Sequence, residues 1–74
     1  MEREWLKRIR EKKKFTQEEM GEYLGIPATT YASYELGMRN PNITNAIKLS
    51  KILKVNWTKF YNTDLNEETI ENGG

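Results

Sequence analysis

The feature that most constrains the fold is residues 16–35, which predict two short helices joined by a tight turn. Thr16 followed three positions later by Glu19 forms a T-x-x-E capping box, in which the two side chains satisfy each other's free backbone amides. Gly25 supplies the positive φ that commonly ends a helix, and Pro27 is favoured where a helix begins. This pattern indicates a helix-turn-helix, whose second helix can enter the major groove of DNA.

The sequence on either side predicts three further helices, at residues 4–14, 43–53 and 56–61. Asn42 and Asn56 stand where the last two need N-caps. Tyr31 and Tyr34 share one face of the second central helix and are expected in the core. We therefore predict an all-α domain of five helices with the helix-turn-helix at helices 2 and 3. The side chains expected to face its core from the flanking helices are Leu6, Ile9, Ile43, Ala46, Ile47, Ser50, Leu53, Trp57 and Phe60.

Composition argues against several classes of protein. The chain has no cysteine and no histidine, so it lacks the disulfides, zinc-finger cysteines and commonest general base on which many small domains and enzymes depend. It also lacks a glycine-rich phosphate loop. We expect no enzyme activity, no metal and no cofactor. No apolar run is long enough to cross a membrane and no signal peptide is evident, which favours a cytoplasmic protein.

Charge is distributed unevenly, although the formal net charge is only +1. Residues 1–14 carry seven basic and three acidic side chains, with Arg3 expected among the polar positions, and residues 42–61 carry four lysines. Residues 62–74 carry four acidic side chains and no basic ones. The sequence therefore predicts a helix-turn-helix domain at residues 1–61 and an acidic, disordered tail at residues 62–74.

Three stretches, TQEEMGEYLGI, TTYASYELGMRNP and NAIKLSKILKVNWTKFY, resemble the Cro/C1-type (XRE) helix-turn-helix domain of phage repressors and small bacterial regulators. The resemblance covers about Leu6 to Tyr61 and includes the TQ-E, glycine turn, Y-E-x-G and following proline. It implies a lambda-repressor-like fold and a nucleoid-associated regulator, most often a repressor, that binds double-stranded DNA. The alternative is a protein-interaction module on the same scaffold, such as an antitoxin or an accessory subunit.

Base contacts are expected from the start of the second central helix, which runs from about Pro27 to Glu35, because that end points into the groove. Our candidates share small size and a lack of charge. They are Ala28, Thr29 and Ser33, with Thr30 and Ala32 at the margin. The competing interpretation is that these are merely small, exposed helix residues.

Phosphate contacts are implied mainly by the resemblance. It implies that Gln17 contacts a phosphate at the start of its helix and that Arg39 and Asn40 form a second region of contact with the DNA backbone. It also pairs Arg10 with Glu35 and orients Arg10 toward the DNA.

Lys14 is the last of three consecutive lysines, which are either a phosphate clamp or a solvated helix end. Lys14 and Lys54 stand where glycine is often found, and a positive φ there strains a lysine by about 1 kcal/mol. Proteins of this family commonly dimerise through the last helix, which here means Trp57 and Tyr61. The alternative for Trp57 is a place in the core of the single domain.

The base-contact candidates predict an operator rich in thymine contacts. None is Arg, Lys, Asn or Gln, so bidentate pairing with guanine or adenine is not available, whereas alanine and threonine methyl groups pack on the thymine methyl. Selection from random duplexes at roughly physiological salt tests this, since salt suppresses non-specific phosphate attraction. Enrichment of G·C-rich half-sites would contradict it.

Overall fold

All regular elements within residues 2–61, the part that the computed structural model describes, are helical. Four α-helices follow in order: α1 (Glu4–Lys13), α2 (Gln17–Leu24), α3 (Ala28–Leu36) and α4 (Ile43–Leu53). A short 3₁₀ helix at Trp57–Tyr61 ends this part of the chain. The acidic tail predicted at residues 62–74 lies outside the described residues.

The all-α class is confirmed, but the count of five α-helices is wrong because the last element is a 3₁₀ helix. Asn56 makes an i→i+3 hydrogen bond at the start of this element: its carbonyl accepts from the Lys59 amide at 3.0 Å. The Asn56 side chain also accepts from the backbone and the hydroxyl of Thr58. So short a segment forms too few i→i+4 bonds to offset the cost of starting an α-helix.

The predicted helix starts at Thr16 and Asn42 are confirmed by their capping bonds. Thr16 Oγ1 accepts from the Glu19 amide at 3.0 Å, and Glu19 Oε1 accepts from the Thr16 amide at 2.8 Å, which completes the capping box of α2. Asn42 Oδ1 accepts from the Asn45 amide at 2.8 Å at the start of α4. Local sequence therefore fixes where these two helices begin.

The core lies where α2, α3 and α4 meet α1 and the 3₁₀ helix. Tyr31 is the largest of its fully buried side chains. At one edge, Trp5 packs edge-on against Phe60 with ring centroids 5.1 Å apart. The buried hydrophobic residues are Leu6, Met20, Leu24, Tyr31, Tyr34, Ala46, Leu49, Leu53 and Phe60.

Three residues expected in the core are partly outside it. Ile43 is 57% exposed, Ile47 36% and Trp57 37%, so those predictions are wrong. The buried residues of α4 include Leu49, so the buried side of the helix is turned away from Ile43 and Ile47. These two residues lie beside the buried side. A second error concerns Arg3, expected among polar positions and found only 8% exposed.

Lys14 and Lys54 adopt the left-handed conformation that was expected where glycine is usual. Their φ angles are 62° and 61°, and each ends an α-helix. The Lys54 amide donates to the Ser50 carbonyl, and the Lys14 amide donates to carbonyls of the last turn of α1. Both side chains are exposed, so each residue bears backbone strain without a compensating contact in the core.

Lys54→Gly is therefore expected to raise the free energy of unfolding by about 0.5–1 kcal/mol, the strain relieved less the entropy lost by glycine. Urea unfolding should show a higher midpoint with an unchanged slope. Lys48→Gly is the matched control. Lys48 is exposed within α4, where glycine lowers stability by about 1 kcal/mol. Equal losses for both variants would contradict the prediction.

Candidate nucleic-acid interface

The turn between α2 and α3 depends on two glycines. Gly25 has a φ of 76° and ends α2, and the following Ile26 amide donates to the Gly21 carbonyl at 2.9 Å. A Cβ on Gly21 would lie 2.9 Å from the Ile26 carbonyl oxygen and 3.3 Å from the Cα of Ala28. Because both atoms belong to the backbone, they cannot swing aside. Gly21 thus allows the start of α3 to approach α2 closely.

Helix α3 begins after Pro27, within one residue of the predicted start, and has two distinct faces. Its inner face buries two tyrosines and a glutamate, Tyr31, Tyr34 and Glu35. Its outer face carries the five base-contact candidates, of which Thr29 is exposed, while Ala28, Thr30, Ala32 and Ser33 are half-buried. The structure thus brings all five together on one short helix.

One hydroxyl on the outer face is already engaged. Ser33 Oγ donates to the Thr29 carbonyl at 3.0 Å, one helical turn earlier. Its proton is therefore used within the helix, and its lone pairs remain available to accept a hydrogen bond. The Thr29 hydroxyl is free to donate or to accept, since no partner for it occurs within residues 2–61.

The inner face of α3 is held by the buried carboxylate of Glu35. Arg10 Nε lies 2.8 Å from Glu35 Oε2, with the Arg10 side chain 15% exposed and that of Glu35 6% exposed. Tyr31 Oη donates to Oε2 at 2.6 Å, and Gln17 Nε2 donates to Oε1 at 2.9 Å. Arg10 Nη1 also reaches the Phe15 carbonyl at 2.9 Å. This carboxylate therefore joins α1, α2 and α3.

The charge of Glu35 is stabilised despite its burial. Burial by itself raises the pKa of Glu35, but the hydrogen bonds it accepts, first that from Arg10, hold its pKa below the ordinary value of 4.5. Burial and the same carboxylate raise the pKa of Tyr31 well above its usual range. The hydrogen bond to Glu35 outweighs burial and raises the pKa of Arg10. Tyr31 stays neutral, and Arg10 and Glu35 stay charged, at neutral pH.

The candidate phosphate-contact residues differ in exposure and in how many of their donors are left to bind a phosphate. Arg39 and Lys14 are exposed, so their charges are available to a phosphate. Gln17 is half-buried, and one of its N–H groups is committed to Glu35 while the other remains. Arg10 uses three of its five N–H donors within the protein, so its first role is structural. Asn40 is exposed, but its Oδ1 accepts from Arg3.

Arg3 is the residue that sequence reasoning missed. Its guanidinium donates to the carbonyls of Tyr34, Arg39 and Phe60 and to the side chain of Asn40, and burial lowers its pKa. An arginine next to a helix start ordinarily reads as a solvated charge. All its acceptors lie more than thirty positions away in the chain, so no local pattern marks it.

The two residues expected at a dimer contact lie together. Trp57 and Tyr61 pack edge-on with ring centroids 5.9 Å apart. Tyr61 is half-buried and its hydroxyl donates to the Pro41 carbonyl, whereas Trp57 remains partly exposed. Trp57 also lines a shallow groove of about 230 Å³ beside α4, together with Ile47, Ser50, Lys51, Val55 and Asn56.

Comparison with known families decides the class of the domain. The family model described as helix-turn-helix matches residues 6–60, which is most of the chain. The chain belongs to the XRE helix-turn-helix family. The match covers every helix described above except the first two residues of α1 and the last residue of the 3₁₀ helix.

Three relatives from Bacillus subtilis (strain 168) are similar to this XRE-family chain. "Uncharacterized HTH-type transcriptional regulator YqaE" is 38% identical over 66 residues, 89% of this chain and 57% of that protein. "Uncharacterized HTH-type transcriptional regulator YqaF" is 37% identical over 67 residues, 90% of this chain and 88% of that protein. "SPbeta prophage-derived uncharacterized HTH-type transcriptional regulator YonR" is 40% identical over 52 residues, 70% of this chain and 48% of that protein. The chain thus spans about half the length of YqaE and YonR. No solved structure matches it.

Two other kinds of feature are absent from the described part of this XRE-family domain. Within residues 2–61, no group of three or more His, Cys, Asp or Glu side chains is placed to hold a metal ion. None of the helices in that range is both long and apolar enough to span a membrane.

Glu35→Gln tests the buried network. It leaves Arg10 partly buried without its counter-charge, which is expected to lower the free energy of unfolding by about 3 kcal/mol at pH 7. Because the folded pKa of Glu35 is depressed, its contribution is present above pH 4.5 and is lost as the pH falls through the folded value. Urea unfolding at several pH values should show wild type and variant converging in acid.

The control for this prediction is Glu22→Gln, which changes an exposed carboxylate of α2. We expect it to alter stability by less than about 0.5 kcal/mol at any of these pH values. A gap between wild type and Glu35→Gln that stayed constant down to acid would mean that the ionised carboxylate does not hold the network.

Proposed function

We propose that this chain is a transcriptional regulator, acting as a repressor, that places α3 in the major groove of a double-stranded DNA operator. The observation that carries the proposal is the division of α3 into a small, uncharged outer face and an inner face fixed by Glu35. Membership of the XRE family and the names of its relatives support DNA-binding transcription regulation. Such a protein would work at the bacterial nucleoid, in the cytoplasm.

In this proposal, bases are read by the small side chains of the outer face. Thr29, exposed near the start of α3, contacts bases through its methyl and hydroxyl groups, with Ala28 before it and Ser33 one turn later. Thr30 and Ala32 lie at the margin of the contact. Apolar contact with thymine methyl groups and hydroxyl bonds to base edges then give modest discrimination at each position.

The DNA backbone is held by groups on both sides of α3. Gln17 lies at the start of α2, where free amides and the positive end of the helix dipole favour a phosphate. Arg39 and Asn40 follow α3 and take a phosphate on the other side. Lys14 adds an exposed charge just before α2, and Arg10 contributes chiefly by holding Gln17 and α3 in place through Glu35.

A homodimer would read two half-sites. A lone module of this size buries only roughly 600–1,000 Å² of its surface on DNA, which favours two copies about one helical turn apart. Trp57 and the groove beside Ile47 and Val55 offer a partly exposed apolar surface for the second copy, with Tyr61 supporting the Trp57 ring. An inverted repeat among selected duplexes would support this arrangement, and a single half-site would oppose it.

Two pairs of variants test which residues contact bases and which contact phosphates. Thr29→Ala and Ser33→Ala should each reduce the difference in affinity between the selected operator and a scrambled duplex by about fivefold or more, because each removes a hydroxyl that bonds to a base edge. Gln17→Ala and Arg39→Ala should weaken binding to both duplexes to a similar degree, and Arg39→Ala should reduce the slope of log affinity against log salt by about 1. Fluorescence anisotropy across a salt series measures both effects.

Lys48→Ala is the charge-matched control for Arg39→Ala. Lys48 is exposed on α4, outside the helix-turn-helix and the loop that follows it. Its removal should leave the salt slope within error. If all four test variants bound DNA as wild type does, or if the wild-type chain bound DNA without sequence preference, the protein-interaction alternative would replace this proposal.

A further inference from the structure

Arg3 is the only cation buried within residues 2–61. It lies just before α1, and its guanidinium sits where the end of α3, the loop after α3 and the 3₁₀ helix come together. The guanidinium also lies over the Phe60 ring, 5.7 Å from its centroid. The Arg3 amide adds a backbone bond of 2.8 Å to the Glu35 carbonyl. Arg3 is therefore fixed at both its backbone and its side chain.

The contacts of Arg3 converge on the loop that follows α3. Nη1 donates to the Tyr34 carbonyl and to the Arg39 carbonyl, the latter at 3.1 Å. Nη2 donates to Asn40 Oδ1 and, at 2.9 Å, to the Phe60 carbonyl. One planar group thus joins the last turn of α3 to both loop residues that are proposed to hold a phosphate.

Stability alone is a weak explanation for this arrangement. Arg3 meets carbonyl and amide oxygens but no carboxylate within the described residues, and its buried Nε has no hydrogen-bond partner there. Removing a charge from water without a counter-charge carries a large desolvation cost. The bonds that Arg3 makes are better explained by the geometry that they impose on the loop.

The chemistry of the guanidinium determines which way the Asn40 amide faces. A guanidinium only donates hydrogen bonds, so the Asn40 atom that meets it must be the oxygen. The amino group of Asn40, which only donates, is then the end left for an acceptor outside the protein. A phosphate oxygen is such an acceptor, and Asn40 is exposed.

We propose that Arg3 is a positioning residue for DNA-backbone binding: without touching DNA, it turns the Asn40 amino group toward a phosphate. This rests on the proposed DNA-binding function. Since the contact is to a phosphate, Arg3 contributes to affinity for every sequence and not to the choice of operator.

A double-mutant cycle between Arg3→Lys and Asn40→Ala tests the proposal. Lysine keeps the charge but lacks the planar fork that spans these acceptors. Each single variant should weaken binding to operator and scrambled duplex alike by about tenfold, as expected for one hydrogen bond to a charged group. The double variant should bind no more than about twofold more weakly than Asn40→Ala, because Arg3 then has no amide to orient.

Two further variants separate positioning from loss of stability. Ile52→Ala removes partly buried packing from α4, away from the loop after α3 and outside the groove proposed for the second copy. It lowers stability, and at a temperature where every variant is fully folded it should leave DNA affinity unchanged. Asn40→Asp gives Arg3 a carboxylate partner and so should raise the urea midpoint, yet it should weaken DNA binding because it offers the phosphate no donor. This opposition tests the contact between Asn40 and the phosphate, and the double-mutant cycle tests whether that contact depends on Arg3.

The outcomes are distinguishable. Provided that the wild-type chain binds DNA, two results would overturn the role of Arg3 and leave the proposed function standing. In the first, Arg3→Lys binds as tightly as wild type. In the second, the losses of affinity of the two single variants multiply in the double variant. A wild-type chain that binds no duplex overturns the proposed function and the role of Arg3 with it. Coupled losses that are equal on both duplexes support both.

Discussion

The carboxylate of Glu35 is the interaction on which the rest of this domain depends. A carboxylate buried to this degree is tolerable only when its lone pairs are filled, and here a guanidinium, a phenol and an amide fill them from three different helices. The angle between α2 and α3 is therefore set by hydrogen-bond directions as well as by apolar packing. A purely apolar contact at this point would leave α3 freer to rotate about its axis, and rotation would change which side chains face outward.

The parts of the fold that were predictable are those whose cause is local. The capping box at Thr16 and the glycine at the end of α2 act over three or four residues, so sequence alone places that helix. The face of α4 was harder, because Ile43 and Leu49 are equally apolar and only the position of the neighbouring helices decides which is buried. The final element was misassigned because capping and apolar spacing do not distinguish one turn of α-helix from one of 3₁₀ helix.

The candidate site divides in a similar way. Its outer face on α3 follows from helical periodicity, and the Arg10–Glu35 pair, which the family resemblance implies, is present with Arg10 Nε 2.8 Å from Glu35 Oε2. The role of Arg3 could not be predicted from sequence, since its acceptors are mostly backbone carbonyls, which every residue type carries. The part that Gln17 plays in holding Glu35 was likewise hidden, because one amide serves the protein interior and, by proposal, the DNA as well.

The two faces of α3 also bear on how such a regulator evolves. The buried side chains of α3, Tyr31, Tyr34 and Glu35, are all on its inner side, and none of the small outer side chains is part of the buried core. Under the proposed function, a duplicated copy can exchange Thr29 or a neighbour for a larger polar residue and acquire a new operator while the same core persists. Divergence of binding preference is then limited by selection on target promoters, and only weakly by the need to keep a folded protein.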